Sequence, residues 1–128
     1  MIANIEKVQN ALNDSSKAVK GSHIHILGVA YKRDIDDVRE SPALDIIHLL
    51  QRRGAKVTFS DPYVPSIRLE DGILTATDEL EAVSKADATV IVTDHATVDY
   101  KLIVERAALV IDTRNALRGV VAANIIRL

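Results

Sequence analysis

Three basic residues stand where an α/β protein usually binds its ligand. Lys32 and Arg114 each follow an apolar run that is typical of a β-strand, and Arg39 stands just before Ser41, which can cap a helix. Backbone N–H groups at the start of a helix favour anions, and ammonium or guanidinium groups nearby add charge-assisted hydrogen bonds. The three residues therefore predict a site for a phosphate or diphosphate.

The same basic residues also allow a simpler interpretation. Lys32 and Arg39 could pair with neighbouring carboxylates in a solvated loop, where ion pairs contribute little to stability. Arg114 could be an ordinary surface arginine. From spacing alone both interpretations stay open. The acidic neighbours in question are Asp34, Asp36, Asp37 and Glu40.

Asp61 and the histidines are weaker candidates for functional residues. Asp61 stands where a dinucleotide-binding fold keeps its ribose-binding acid, but Asp61-Pro62 also ends strands by turn chemistry, and we favour the turn. His95 could act as an acid or base, although a single loop histidine is usually structural or solvated. His23 and His25 alternate with isoleucines and mark one face of a strand. No two histidines have the helical spacing of metal ligands, so no metal site is expected.

Alternating strands and helices are predicted to position these residues. The patterns predict strands at 23–29, 56–60, 88–93 and 109–112, and helices at 2–13, 41–53 and 101–107, with a short helix after Thr77 or Asp78. Residues 63–76 and the last ten residues are left undecided. The alternation indicates the α/β fold class, as a Rossmann-like, doubly wound parallel sheet with an extra N-terminal helix.

Composition excludes several classes of protein. The 128 residues are 48% apolar and 27% charged, with a formal net charge of -2, which is ordinary for one compact domain. The charge argues against nucleic acid or an anionic membrane as the main partner, and no apolar run reaches the ~18 residues of a membrane span. A cytoplasmic location is the default expectation. Cysteine is absent, which excludes disulfides and a cysteine nucleophile within this chain.

The turn after the first strand lacks the usual dinucleotide-binding glycines. Gly28 is followed by Val29, Ala30 and Tyr31 instead of the G-x-G-x-x-G pattern, and no G-x-x-x-x-G-K-[ST] occurs. Such glycines let the backbone approach a pyrophosphate closely. The sequence therefore predicts a Rossmann-like sheet whose first turn does not cradle NAD.

One long stretch resembles a known family. Residues 20–65, KGSHIHILGVAYKRDIDDVRESPALDIIHLLQRRGAKVTFSDPYVP, and the later VIDTRN are similar to the C-terminal, UDP-binding domain of the UDP-glucose/GDP-mannose dehydrogenase family. The core of the resemblance is G-x-A-[FY]-K followed by D-D-x-R-E-S-P. Tyr31-Lys32 together with the downstream DPYVP is most similar to members that oxidise UDP-N-acetylhexosamines.

The resemblance implies an activity and a role for each predicted residue. Complete members oxidise the C6 hydroxyl of a nucleotide sugar to a carboxylate with NAD as acceptor, making a UDP-uronic acid for polysaccharide biosynthesis; their catalytic cysteine lies outside this domain. By position, Tyr31 and Lys32 match substrate-binding residues, and Arg114 lies in the segment that supplies a further substrate-binding arginine. Arg39 matches the arginine on the cofactor side. No catalytic or metal-binding residue is implied in this chain.

The resemblance also implies how the chain is organised. Residues 1–20 correspond to a connecting helix and linker from a central domain, and residues 21–128 to the UDP-sugar-binding domain. Because the NAD-binding and central domains lie outside this sequence, the chain alone is expected to be inactive and to work with them in a homo-oligomer. Two alternatives stay open, which are a free-standing, non-catalytic nucleotide-binding module and the equivalent domain of a GDP-mannose dehydrogenase.

Overall fold

A computed structural model of the chain describes residues 2–14, 18–30 and 41–127. The helices are α1 (Ile2–Asp14), α2 (Pro42–Arg52), α3 (Glu79–Lys85) and α4 (Tyr100–Arg106). The strands are β1 (His23–Leu27), β2 (Lys56–Ser60), β3 (Ser66–Leu69), β4 (Gly72–Thr75), β5 (Ala88–Ile91), β6 (Val110–Asp112) and β7 (Ile125–Arg127). Each element predicted from the sequence is present, with small differences at its ends.

Five parallel strands form the central sheet in the order β2-β1-β5-β6-β7. Apolar side chains of α1 and α2 pack against one face of this sheet, and those of α3 and α4 pack against the other. Parallel strands need crossover connections, and helices on both faces provide them. The predicted doubly wound α/β fold is confirmed.

Helix α2 follows its sequence signals closely. The Ser41 side chain accepts a hydrogen bond from the Ala43 N–H, and Pro42 occupies the first turn, where its missing N–H costs nothing. The apolar stripe at Ala43, Ile46, Ile47 and Leu50 is completely or almost completely buried. This helix starts at the far end of the charged segment 31–40, so its cap fixes where the chain leaves that segment.

Helix α1 shares the core of the domain. Val8 and Leu12 are fully buried in the same apolar cluster as the α2 stripe, and Arg53 donates a hydrogen bond to the Gln9 side chain at 2.8 Å. The extra N-terminal helix is thus present and packed. The division of the chain into a connecting segment, 1–20, and a domain, 21–128, stays a prediction.

The undecided residues form short strands. β3 and β4 make an antiparallel hairpin in which Ile67 pairs with Leu74, and Ile67 and Leu69 point into the apolar core. Near the C-terminus, β7 adds a fifth parallel strand beside β6, with Ile125 next to Val110. None of the helices in the described ranges is long and apolar enough to cross a membrane.

Candidate functional site

The strand order locates the candidate site at the edge of the sheet that is formed by the carboxyl ends of its strands. From β1 the chain continues to β2 on one side, and it returns through β5 on the other side of β1. Ligands of open parallel sheets bind outside the carboxyl ends of the strands at such a reversal of strand order. The site is therefore built from the segments that follow β1, β5 and the neighbouring β6.

Gly28 ends β1 in a conformation that only glycine adopts easily. Its φ is 88°, and a Cβ atom there would lie 2.6 Å from the Thr93 carbonyl oxygen. The Thr93 hydroxyl donates to the Ala30 carbonyl at 2.7 Å. Gly28 thus lets the chain after β1 lie directly against the chain after β5.

The Asp61 carboxylate fixes the same turn from the other side. Its Oδ2 accepts hydrogen bonds from the N–H groups of Val29 at 2.8 Å and Ala30 at 3.1 Å. Its Oδ1 accepts from the Tyr63 N–H at 2.8 Å, which is the turn interaction favoured from the sequence. One carboxylate therefore organises the end of β2 and holds the end of β1.

His95 completes the surroundings of this carboxylate. Its Nε2 lies 2.8 Å from Asp61 Oδ2, and the side chains of both residues are completely buried. The Tyr63 ring packs on the imidazole with ring centroids 4.9 Å apart. The His95 N–H donates to the Tyr100 hydroxyl at 3.0 Å, and burial raises the pKa of that hydroxyl. His95 is therefore a buried structural group, as expected for a single loop histidine, and not a solvent-exposed acid or base.

A second buried carboxylate shapes the loop after β6. Asp112 Oδ1 accepts from the N–H groups of Arg114 at 3.0 Å and Ala116 at 3.1 Å, and its Oδ2 accepts from Leu117 at 2.8 Å. Asn115 adopts a left-handed conformation with φ 58°, which asparagine tolerates better than most residues. Asp112 thus holds a tight loop that presents Arg114 at the surface.

Arg114 is the one predicted site residue within the described ranges. It is exposed, and its loop is anchored further because the Thr113 hydroxyl donates to the Ile91 carbonyl at the end of β5. Its guanidinium is available to a ligand at this edge. The predicted residues Tyr31, Lys32 and Arg39 lie outside the described residues, between Ala30 and Ser41.

The local chemistry of the edge does not favour NAD at the first turn. The N–H groups of Val29 and Ala30, which would face a pyrophosphate in a glycine-rich dinucleotide turn, already donate to the Asp61 carboxylate. A bound phosphate would have to displace a buried, hydrogen-bonded anion. The described residues therefore do not fit NAD at this turn, as predicted from the missing glycines. No group of three potential metal-binding side chains occurs among the described residues.

Sequence reasoning missed the two organising contacts of the edge. The Asp61–His95 pair joins residues that are 34 positions apart, and only the strand order brings their loops together. The role of Asp112 is local, since its partners follow within five residues. An aspartate that ends a strand just before a short loop is the signal that could have found it.

The parallel sheet and the switch of strand order define an α/β domain of the class that binds ligands at the carboxyl ends of its strands. Residues 25–119 match the model of the UDP-glucose/GDP-mannose dehydrogenase family, UDP binding domain. The chain belongs to this family, and the resemblance noted from the sequence is confirmed.

Named relatives agree with this assignment. The chain is 41% identical over 78 residues to a UDP-glucose 6-dehydrogenase of Rhizobium meliloti, and 37% identical over 101 residues to a UDP-N-acetyl-D-mannosamine dehydrogenase of Pyrococcus horikoshii. These alignments cover 59% and 74% of this chain but only 18% and 22% of the relatives. The chain thus spans about a fifth of the length of the relatives it matches.

A solved structure shares the fold over almost the whole chain. The UDP-D-ManNAc dehydrogenase structure from Pyrococcus horikoshii superimposes with a TM-score of 0.78 and 29% sequence identity. The match covers 98% of this chain and 29% of that one. Helix α1 therefore belongs to the shared fold as well as the sheet.

Proposed function

We propose that this chain is the UDP-sugar-binding domain of an NAD-dependent nucleotide-sugar 6-dehydrogenase, which oxidises the sugar C6 hydroxyl to a carboxylate. The observation that carries the proposal is the family match over residues 25–119, which runs from β1 to the loop after β6 and so includes the entire candidate edge. The names of both relatives describe dehydrogenases of UDP-sugars. Fold alone would not support a function, but a family match together with the names of the relatives does.

The diphosphate of UDP is the part of the ligand that this edge suits best. Arg114 presents a guanidinium from a loop that Asp112 holds in place, and guanidinium groups bind phosphate oxygens through paired hydrogen bonds. Lys32 and Tyr31 follow the fixed residue Ala30 directly in the chain, and we assign them to the same UDP-sugar. Arg39 is assigned to the side of the edge that faces the cofactor.

The remaining parts of the enzyme belong to this proposal too. NAD is held mainly by an N-terminal domain, because the first turn here is occupied by Asp61. As the family resemblance implies, a cysteine of that part carries the covalent intermediate. The chain alone binds the nucleotide but does not turn it over, and the complete enzyme is a cytoplasmic homo-oligomer.

An NMR titration of the ¹⁵N-labelled 128-residue chain with UDP tests the proposal. UDP is expected to shift the amide signals of Gly28, Thr93 and Arg114, which line the edge. Lys32→Ala and Arg114→Ala should each weaken binding by roughly tenfold or more, because one charge-assisted hydrogen bond contributes about 1.5–3 kcal/mol. Arg106→Ala is the matched control, since Arg106 is an exposed arginine at the end of α4, which leads into the opposite edge of the sheet.

Three outcomes separate the competing interpretations. Shifts confined to surfaces away from this edge, or no shifts at all, would contradict the proposal. Displacement of UDP by an equal concentration of GDP would favour the GDP-mannose branch of the family. A reading frame that contains this chain without any dinucleotide-binding domain would favour the free-standing binding module.

A further inference from the structure

Five polar side chains form a continuous row on the face of the sheet that α3 and α4 cover. His23 Nε2 lies 2.8 Å from Thr58 Oγ1, which lies 2.7 Å from His25 Nδ1. His25 Nε2 lies 2.7 Å from Ser60 Oγ, and the Ser60 hydroxyl donates to Glu79 Oε1 at 3.5 Å. We call this row the polar relay. It runs from the first residue of β1 to the first residue of α3.

The two ends of the polar relay lie in different surroundings. His23 is partly buried and lines an open groove of about 350 Å³ between the starts of β1 and β2 and helix α3. Glu79, at the other end, is half-buried and interacts electrostatically with Asp61 and His95, the buried pair of the candidate edge. The completely buried His25 lies between the two ends, with both ring nitrogens bonded. The relay thus connects a groove that is open to solvent with residues beside the candidate edge.

The carboxylate at one end fixes the direction of all four hydrogen bonds. An ionised carboxylate only accepts, so the single proton of the Ser60 hydroxyl points to Glu79, and Ser60 Oγ accepts from His25 Nε2. Burial lowers the pKa of His25 to about 4, so near pH 7 its imidazole is neutral and its bare Nδ1 accepts from the Thr58 hydroxyl. Thr58 has no second proton to donate, so it accepts from His23 Nε2. Both histidines therefore carry their proton on Nε2 while Glu79 is ionised.

We propose that the polar relay passes a proton between the groove at His23 and the Glu79 carboxylate, and that this transfer reverses every hydrogen bond along it. A solvent proton binds His23 Nδ1, and the Nε2 proton of His23 moves to the Thr58 oxygen. Thr58 gives its own proton to His25 Nδ1. His25 gives its Nε2 proton to Ser60 Oγ, and the former Ser60 proton binds Glu79. Each histidine and hydroxyl keeps one proton, so the net change is one proton moved from solvent to the carboxylate.

Charged groups at both ends act on the relay. The pKa of His23 is lowered by burial and by Lys56, and it is raised by Asp87. Burial is the main cause that raises the pKa of the Glu79 carboxyl. A higher pKa makes this carboxylate a better acceptor for the proton. The other titratable groups that face the two ends are Asp61, Asp78, His95 and Tyr100 around Glu79, and Asp78, Glu81 and Lys85 in the groove.

The ¹⁵N NMR shifts of the histidine rings at pH 8 test the direction of the relay in the 128-residue chain, because protonated and bare ring nitrogens have well separated shifts. In the wild type, the Nδ1–H form of His23 and His25 should stay below about a tenth, since a hydrogen bond to a charged group favours one direction by about tenfold or more. Glu79→Gln replaces an obligate acceptor by an amide that also donates. The Nδ1–H form should then rise to roughly a third or more in both histidines.

Thr58→Val distinguishes a relay from the electric field of the carboxylate. Valine keeps the shape of the side chain but removes the hydroxyl between the two histidines. In the Thr58→Val background, Glu79→Gln should therefore leave the ring of His23 unchanged. An equal response of His23 in both backgrounds would mean that the charge acts through space, and it would overturn the inference.

Exchange of the buried ring proton with solvent tests the transfer itself. Imidazolate is too basic to form near pH 8, so His25 releases its Nε2 proton only after Nδ1 has received one from Thr58. Thr58→Val should therefore slow the exchange of this ring proton. Its backbone amides should exchange faster, because a less stable chain opens more often. Ring exchange as fast as in the wild type would overturn the proposed transfer.

Glu81→Gln is the matched control for the loss of a negative charge on α3. Glu81 lines the groove beside His23 and pairs with Lys85 at 2.7 Å, but it is not part of the relay. It should leave both rings as in the wild type, and a response equal to that of Glu79→Gln would overturn the inference. If Glu79→Gln does not fold, as judged by circular dichroism, Ser60→Ala cuts the same end and should also raise the Nδ1–H form of His25. These measurements need no nucleotide, so their failure would leave the proposed function standing.

Discussion

The two faces of the central sheet are built from different chemistry. On the face covered by α1 and α2, the strands present only apolar side chains among the described residues, including the fully buried Ile24, Ile26 and Phe59. On the face covered by α3 and α4, the β1–β2 half presents histidines and hydroxyl groups. The polar residues of this half-face are His23, His25, Lys56, Thr58 and Ser60, and Thr89 follows on the neighbouring strand β5.

The polar half-face is a hydrogen-bonded ladder between two strands. Thr58 Oγ lies 2.8 Å from His23 Nε2 and 2.7 Å from His25 Nδ1, and Ser60 Oγ lies 2.7 Å from His25 Nε2. Both ring nitrogens of the buried His25 therefore have partners on β2. One face gains stability from apolar packing, whereas the β1–β2 half of the other face depends on paired polar groups, which are expensive to leave unpaired.

The largest loss of stability is expected from a cavity on the apolar face. Phe59→Ala should lower the free energy of unfolding by about 3–5 kcal/mol, because it removes the largest fully buried side chain among the described residues. Urea unfolding at pH 7 measures the loss, with Ile73→Ala, at a position that is 66% exposed, as the control. A loss below about 1 kcal/mol would show that this face is not tightly packed and would remove the contrast between the faces.

Lowering the pH should reduce the free energy of unfolding through the histidines of the polar face. Burial, aided by the neighbouring His23, lowers the pKa of His25 to about 4 from an ordinary 6.5. Between these values the unfolded chain binds a proton that the folded chain does not, so stability falls as the pH falls from about 6.5 to 4. At about 1.4 kcal/mol per pH unit, the loss due to His25 approaches roughly 3 kcal/mol.

The variant His25→Gln isolates this effect. The difference between the unfolding free energies of wild type and variant should shrink as the pH is lowered from 7 to 4. His23, whose pKa is also lowered, adds to the acid sensitivity, and Glu79, whose raised pKa favours the protonated folded form at low pH, opposes it. Both groups remain in the variant and largely cancel in the difference. A difference that is independent of pH would mean that His25 is not held neutral by burial.

A smaller loss is expected when the ladder loses its shared hydroxyl. Thr58→Val keeps the shape of the side chain but leaves one nitrogen of His23 and one of His25 without their partner. We expect a loss of about 1–3 kcal/mol in urea unfolding at pH 7, the cost of unpaired buried polar groups. A change of less than about 0.5 kcal/mol would show that the ladder contributes little.

The sequence predicts what is local in this fold. Ser41-Pro42 and the stripe at Ala43, Ile46, Ile47 and Leu50 set the start and the buried face of α2, and both are confirmed. The alternation of His23 and His25 with isoleucines correctly places the histidines on one face of β1. The β3–β4 hairpin was left undecided, although Asp71-Gly72 is a turn pair and could have indicated it.

Contacts between distant segments could not be predicted in the same way. The partners of His25 depend on the register that sets it beside Thr58, 33 residues away. The Asp61–His95 contact depends on β1 lying between β2 and β5. Hydrophobic patterns predict strands but not their order or register. The candidate site was predicted as a set of cations at strand ends, while the buried Asp61–His95 contact follows only from the topology.

The smallest expected change in stability is a gain rather than a loss, and it comes from Thr89. Thr89 lies on the polar face beside His25, on β5, and its hydroxyl is buried with no hydrogen-bond partner among the described residues. The ladder therefore joins β1 to β2 only, and Thr89 bears a desolvation cost without a compensating bond. Thr89→Val replaces the hydroxyl by a methyl group of similar size. It should leave stability unchanged or raise it by up to about 1 kcal/mol in the same urea experiment.

Thr58→Val and Thr89→Val form a matched pair, because they make the same chemical change on the two strands that flank β1. If Thr58→Val lowers the free energy of unfolding and Thr89→Val raises it, then stability depends on the pairing of the hydroxyl and not on its presence on this face. If Thr89→Val instead cost as much as Thr58→Val, Thr89 would have to be bonded in solution. The polar ladder would then extend across β1 to β5, towards the strand that carries Thr93 and His95 to the candidate site.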